Sequence, residues 1–191
     1  GPSVAADYVS FTHAVLAMSS CALTGPVIFL VESGTYTEQI TIPDIVGTSA
    51  TNTITFRSQA LDSTVVQLTW PSSTTASNDY TIRLNGVDRI IFDRISIARS
   101  GSNNYANVVD YAAVSNAPGS QFTRITHCRL SGTTSASPTN GSLITTSTNA
   151  INDSTRFDHC RFERGGYGIN WNNFSLGEKL LVEDNVFVDQ A

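Results

Sequence analysis

The sequence predicts an all-β chain wound as a right-handed parallel β-helix of about six coils, with one N-terminal α-helix capping its end. Three observations predict it. A six-residue pattern of apolar and polar positions recurs four times without gaps. The recurrences are separated by roughly the length of one solenoid turn. After residue 20, every apolar run has the length or the alternation of a strand.

The helix comes first. Phe11, Ala14, Val15 and Met18 fall at i, i+3, i+4 and i+7, Ser10 stands where an N-cap belongs, and the pattern ends near Ser20. Val27-Ile28-Phe29-Leu30-Val31 then reads as a strand buried on both faces. Gln39 to Ile42, Thr53 to Phe56 and Tyr80 to Leu84 alternate, as half-buried strands do. Stretches rich in Ser, Thr, Asn, Gly and Pro, such as 71–79, 99–107, 132–141 and 172–177, separate the strands.

The repeat consists of Phe92-Asp93-Arg94-Ile95-Ser96-Ile97, Ile125-Thr126-His127-Cys128-Arg129-Leu130, Phe157-Asp158-His159-Cys160-Arg161-Phe162 and Val182-Glu183-Asp184-Asn185-Val186-Phe187. Positions one and six are always large and apolar. Position four is Ile, Cys, Cys, Asn. The expected form is strand, sharp bend, strand, with positions one, four and six inward. Taking Ile42, Leu68, Ile97, Leu130, Phe162 and Phe187 as the last apolar position of each unit gives intervals of 26, 29, 33, 32 and 25 residues. Such a period suits coils of three short strands stacked about 4.8 Å apart. The helix would cover strand edges that would otherwise pair with other chains.

Residues 4–191 read as one domain of ordinary size, and Gly1-Pro2-Ser3 as the remnant of a protease cleavage. The repeat runs to the end without a cap, so the chain is expected to be part of a longer protein, whose remainder would be a partner. Charged residues are only 14% of the chain, and Lys179 is its one lysine. With a net charge of −5, this composition argues against nucleic acid and anionic membranes as partners. No apolar run approaches the roughly 18 residues of a membrane span. Cys21, Cys128 and Cys160 are odd in number and widely spaced, which is neither a disulfide framework nor a zinc motif. No metal-ligand set and no cofactor are expected from these spacings. The polar surface suits a secreted or cell-surface protein.

On these residues the repeat resembles right-handed parallel β-helix proteins of pectin-lyase-like fold. Glu183-Asp184-Asn185-Val186-Phe187 is close to that family's acidic-Asn-Asn-x-Phe pattern. The N-terminal part is similar to the start of pectin methylesterases: a short helix, an apolar strand, Gly34-Thr35-Tyr36-Thr37-Glu38, then an alternating strand. The esterases' Gln-Ala-Val, Gln-Asp, Asp-Phe-Ile-Phe-Gly and Gly-Arg-Pro-Trp motifs are missing, so no catalytic residue carries over. The stretch from Gly47 to Ile97 resembles β-helix modules of very large secreted bacterial surface proteins. That resemblance implies a non-catalytic module in adhesion or extracellular polysaccharide binding. The alternative is a carbohydrate-active enzyme, a polysaccharide lyase or glycoside hydrolase on acidic polysaccharide.

For an enzyme the candidates are Asp158, Glu183, His127, His159, Arg129 and Arg161. Asp158 and Glu183 share a repeat position, so stacking brings them together on an outer face. Paired carboxylates can do acid–base work or, with loop carbonyls, bind calcium. The competing reading is a solvated ladder beside Arg156, Arg161 or Arg94. His127 and His159 also stack, each two residues before an arginine. An elimination needs such a base and such a cation for a uronate carboxylate. A repeat, however, copies surface residues whether or not they are used. Cys128 and Cys160 should face inward as small apolar residues in place of the usual Asn, a disulfide between them being the alternative. For sugar binding the candidates are Trp171, Asn172, Asn173 and Phe174, with Trp70 and Tyr105, which otherwise cover the core edge.

Overall fold

The computed structural model describes residues 7–112, 119–134, 136–147, 150–172 and 179–190. Helix α1 (Phe11–Ser19) precedes six coils. The first coil holds strands β1 (Val27–Val31), β2 (Gly34–Thr37) and β3 (Ile40–Pro43), and the second β4 (Ile54–Ser58), β5 (Val66–Pro71) and β6 (Ile82–Asn85). The third holds β7 (Ile90–Asp93), β8 (Ser96–Ser100) and β9 (Val109–Tyr111), and the fourth β10 (Arg124–Thr126), β11 (Arg129–Ser131) and β12 (Ile144–Thr146). The fifth holds β13 (Thr155–Asp158), β14 (Arg161–Glu163) and β15 (Ile169–Asn170), and the last β16 (Leu180–Glu183) and β17 (Val186–Val188). Every third strand pairs in parallel, giving sheets β1-β4-β7-β10-β13-β16, β2-β5-β8-β11-β14-β17 and β3-β6-β9-β12-β15.

The repeat sets the register. Phe92, Ile125, Phe157 and Val182 lie side by side, as do Ile97, Leu130, Phe162 and Phe187. Inward side chains therefore stack like on like. Phe29 and Phe56 lie 4.7 Å apart at 16°, and Phe56 and Phe92 lie 5.7 Å apart at 11°. In the first coil the partner of Leu68 is Tyr36, not Ile42, which lies in β3. Both strands carry alternating apolar residues, so the sequence alone offered two phases. The Tyr36 to Leu68 interval is 32 residues, which removes the short first period.

The Gly34–Glu38 motif explains itself at the N-terminal end. Tyr36 is buried, meets Phe11 edge-on at 5.1 Å, and donates its hydroxyl to the Glu32 carbonyl at 2.9 Å. The Glu38 carboxylate accepts the backbone N–H groups of Phe11 and Thr12, at 3.2 and 2.9 Å. It thus satisfies two orphan donors at the positive end of α1, where Ser10 accepts a third from His13. The helix buries Phe11, Ala14, Val15 and Met18 over the first coil. It does not cover the outer face of β1: Ile28 and Leu30 are 53% and 59% exposed, so this strand is not buried on both faces as its apolar run suggests.

The bend between the first and second sheets is the same in each later coil. Its third repeat position takes a left-handed backbone, with φ of 56°, 53°, 55° and 53° at Arg94, His127, His159 and Asp184. His and Asp accept this region better than most residues. Position four then turns inward. Asn185 accepts the Cys160 N–H at 2.8 Å and donates to the Phe157 carbonyl at 2.8 Å. Cys128 makes the same pair of contacts with Ile95 N–H and the Phe92 carbonyl, both at 3.4 Å. The thiol therefore substitutes for an amide in a backbone-bridging ladder. Cys21, Cys128 and Cys160 are all free thiols, so no disulfide joins the coils.

Candidate functional site: a corner of arginines, carboxylates and imidazoles

The outward residues of the last three coils converge at this bend. Asp158 ends β13, in register with Thr126 and Glu183 on either side. Its carboxylate is 0% exposed. Arg124 donates to it from Nε and Nη2, each at 2.8 Å, and Arg156 lies against Oδ1 at 3.0 Å. The Thr126 hydroxyl donates to Oδ2 at 2.8 Å, and His159 Nδ1 lies 3.1 Å from the same oxygen. The expected solvated ladder is thus corrected: outward-pointing Asp158 is roofed by two guanidiniums whose own outer parts stay wet. Burial pushes its pKa up, but the hydrogen bonds from Arg124, Thr126 and His159 prevail and hold it well below the usual carboxylate range.

The motif of one carboxylate between two arginines recurs. Asp93 lies between Arg57 and Arg94, at 2.7 and 2.8 Å. Glu163 accepts Arg129 Nε at 2.6 Å and also pairs with Arg161. Burial raises the Glu163 pKa, and hydrogen bonds from Arg161 and Arg129 outweigh this and lower it. Arg156 also reaches Glu183. Although the chain is net acidic, Arg57, Arg94, Arg124, Arg129, Arg156, Arg161 and Arg164 thus gather on these two sheets and their shared corner.

His127 and His159 stack face to face, with centroids 4.7 Å apart and planes at 10°. Burial, then the charges of Arg94 and His159, lower the His127 pKa. The imidazole therefore stays neutral at neutral pH. Cys128 faces the core while its neighbour His127 faces out, so the two form no nucleophile–base pair.

The structure therefore joins four of the six candidate catalysts at the bend, Asp158, His127, His159 and, through Arg156, Glu183, while Arg129 and Arg161 pair with Glu163 on the second sheet instead. Asp158 cannot serve as a general acid, because its proton is lost far below neutral pH and its oxygens already accept donors. Arg124 and Glu163 escaped notice as site residues. Extending the repeat by one residue on each side would have found them, since Arg124 to Ser131 aligns with Arg156 to Glu163.

Toward the C-terminal ends of its strands, the second sheet carries a groove of about 350 Å³. Its lining includes the register row Thr69, Ala98 and Ser131, with Gln67, Thr133 and Arg164. Arg164 donates to the Ser131 hydroxyl at 2.9 Å. Arg99 also lines the groove but is buried, donating to the carbonyls of Tyr80, Asn78 and Tyr105 at 2.6, 3.2 and 2.9 Å. These two arginines are the charged lining residues, and neither a carboxylate nor an imidazole is among the lining. A larger hollow of about 520 Å³ lies between α1 and β1 and is lined mainly by apolar side chains, including Phe11, Met18 and Phe29.

The aromatic candidates are dispersed. Trp171 packs edge-on against Tyr111 and Phe157, at 5.1 and 5.8 Å. Asn172 is exposed, and its N–H donates to Thr146 Oγ1 at 2.7 Å. Trp70 is half-buried in β5. Tyr105 is half-buried and forms an antiparallel bridge with Ser73. Asn173 and Phe174 lie outside the described residues.

Among solved structures, a pectin methylesterase mutant in complex with a hexasaccharide matches 96% of this chain, with TM-score 0.59 and 12% identity. The chain has the pectin-lyase-like fold, a right-handed parallel β-helix. A second pectin methylesterase–hexasaccharide complex matches the same share of this β-helix, with TM-score 0.50 and 11% identity. The chain spans 63% of the length of each of these two proteins. No family model and no curated protein matches this β-helix sequence.

Proposed function

We propose that this chain is a non-catalytic β-helix module of a secreted or cell-surface protein that holds extracellular polysaccharide on its second sheet, in adhesion or glycan capture. The groove on the second sheet carries this reading. Its volume falls within the roughly 300–1,000 Å³ of small-molecule sites. Ala98 and Ser131 are small, which leaves room for a flat sugar ring near the sheet, and hydroxyl, amide and guanidinium groups are among the lining. Its lining supplies donors for binding, and the neighbouring carboxylate, Glu163 in register with Ser131, is held by Arg129 and Arg161. Arg164, the groove's one arginine that is not buried, favours an acidic glycan. The fold is also that of two proteins solved as hexasaccharide complexes. No helix among the described residues is long and apolar enough to cross a membrane.

The test is a panel of acidic and neutral polysaccharides, profiled by size exclusion before and after incubation, together with affinity electrophoresis. The reading expects retention on an acidic polymer, weakened by salt, with no shortening of the chains. Arg164→Ala combined with Gln67→Ala should lower retention about tenfold, the effect of roughly one lost charged contact. Shortened products or released methanol would establish catalysis and overturn the reading. So would a failure to retain any polymer.

A further inference from the structure

The groove on the second sheet is also where the chain's uncompensated positive charge collects. Among the described residues, every arginine except Arg89, Arg99 and Arg164 pairs with a carboxylate. Arg89 lies over the Phe122 ring, 4.1 Å from its centroid. Arg99 and Arg164 both line the groove. They directly follow Ala98 and Glu163, the two register neighbours of Ser131, so they reach it from the coils on either side. Arg164 is exposed and spends one N–H on the Ser131 hydroxyl, out of the five a guanidinium offers. Arg99 is 4% exposed, and its three hydrogen bonds all go to neutral carbonyls. Asp79, whose charge acts on it, is itself engaged by the N–H and Nδ2 of Asn107 at 2.7 and 2.8 Å. Burial lowers the Arg99 pKa to about 10, so the guanidinium stays charged at neutral pH. Two buried groups of the same lining have no hydrogen-bond partner among the described residues: Arg99 Nε and the hydroxyl of Thr133, a residue 8% exposed. Such groups are nearly always paired, so this groove is short of an acceptor and of a negative charge.

We propose that the groove holds an oxyanion group of the glycan, a carboxylate or a sulfate ester, between the Arg164 guanidinium and the Thr133 hydroxyl, with the charge of buried Arg99 behind it. The inference rests on the polysaccharide reading above and names the group that is recognised. A guanidinium can grip either oxyanion with two parallel N–H···O bonds, and a hydroxyl without a partner turns to donate. Arg99 acts through the low local dielectric, so its contribution is screened less by salt than that of Arg164. Glu163 does not repel the anion, because Arg129 and Arg161 already neutralise it. A neutral sugar would offer hydroxyls to the same donors but would leave the Arg99 charge uncompensated.

The test runs three polymers by affinity electrophoresis: a polyuronate, the same polymer with its carboxyl groups reduced to alcohols, and a sulfated neutral glucan. Retention of the polyuronate that falls about tenfold on carboxyl reduction supports the proposal with a carboxylate as the anion. Retention of the sulfated glucan alone supports it with a sulfate ester. Thr133→Val keeps the side-chain shape and removes a hydroxyl that has no partner to lose. It should weaken retention of the charged polymer about fivefold, the worth of one hydrogen bond, with an unchanged urea midpoint. Arg164→Gln should weaken retention by a similar factor and flatten its salt dependence. A reduced polymer held as tightly as the charged ones would overturn the inference and leave the polysaccharide reading standing. So would undiminished retention of the charged polymer by both variants, which would place the anion elsewhere. Retention of no polymer would overturn the polysaccharide reading, and the inference with it.

Discussion

Replacing Asp158 by Asn tests the corner directly. The carboxylate is fully buried and accepts two hydrogen bonds from Arg124, one from Thr126 and one from His159, with Arg156 against its second side. Asn keeps the shape, but loses the charge and turns an N–H₂ group toward donors. A hydrogen bond to a charged group contributes about 1.5–3 kcal/mol, and breaking a fully buried pair costs about 3–5 kcal/mol. The arginine side chains are each 39% exposed, so water recovers part of their solvation. The expected loss at pH 7 is therefore about 2–3 kcal/mol, read from urea unfolding followed by circular dichroism. The pH dependence supplies a second reading. Because the folded-state pKa is lowered, the contribution of Asp158 is complete above the unfolded value near 3.9 and is lost as pH falls toward the folded value. The gap between wild type and Asp158→Asn should hold from pH 7 to pH 5 and shrink below pH 4. A gap under about 0.5 kcal/mol, or one unchanged at pH 3, would refute the assignment of Asp158 as the charged keystone of the corner.

Further outcomes follow from the core and the bends. Ellman's reagent should titrate one thiol rapidly in the native protein, Cys21, and three after unfolding, because burial raises the Cys128 pKa and hides its sulfur. Cys128→Val should cost about 1–3 kcal/mol in urea by leaving the Ile95 N–H without an acceptor, while Cys128→Ser should cost less. Phe157→Ala, in the closed core, should cost about 3–5 kcal/mol, whereas Phe187→Ala on the open last coil should cost under about 1 kcal/mol. Leu61 is exposed with φ of 55°, so Leu61→Gly should raise the urea midpoint, worth about 0.5–1 kcal/mol, and Leu61→Ala should not.

The fold was largely legible because a solenoid writes its geometry into the sequence as a repeat. Positions one, four and six of the third, fourth and fifth coils are buried as read. So is the helical face of Phe11, Ala14, Val15 and Met18. The first coil was harder, since Tyr36 and Ile42 both satisfy an apolar alternation and only pairing chooses between them. At the corner, the stacking of His127 on His159 and of Asp158 on Glu183 follows from the repeat alone. The burial of Asp158 does not. It depends on two arginines from neighbouring coils folding over an outward-facing residue, and alternation records which way a side chain points, not what lies on top of it. The groove was illegible for a similar reason, because its walls come from separate coils.

Among the described residues the sixth coil pairs with the fifth: β16 with β13, and β17 with β14. Its inner side chains show this, with Val182 and Phe187 41% and 46% exposed against 0% for Phe162. In a stacked array each coil is held by its interfaces with its neighbours, and the sixth coil is held here through the fifth. Its opening removes Glu183 from Arg156, Asp184 from His159, and Asn185 from the Cys160 and Phe157 backbone. In the 191-residue chain, amide hydrogen exchange should be faster in β16 and β17 than in β13 and β14, and any further coil stacked on them would slow it. Any ligand that bridges the fifth and sixth coils would act as a fastener on this rung, and the slowing of exchange there would report its occupancy.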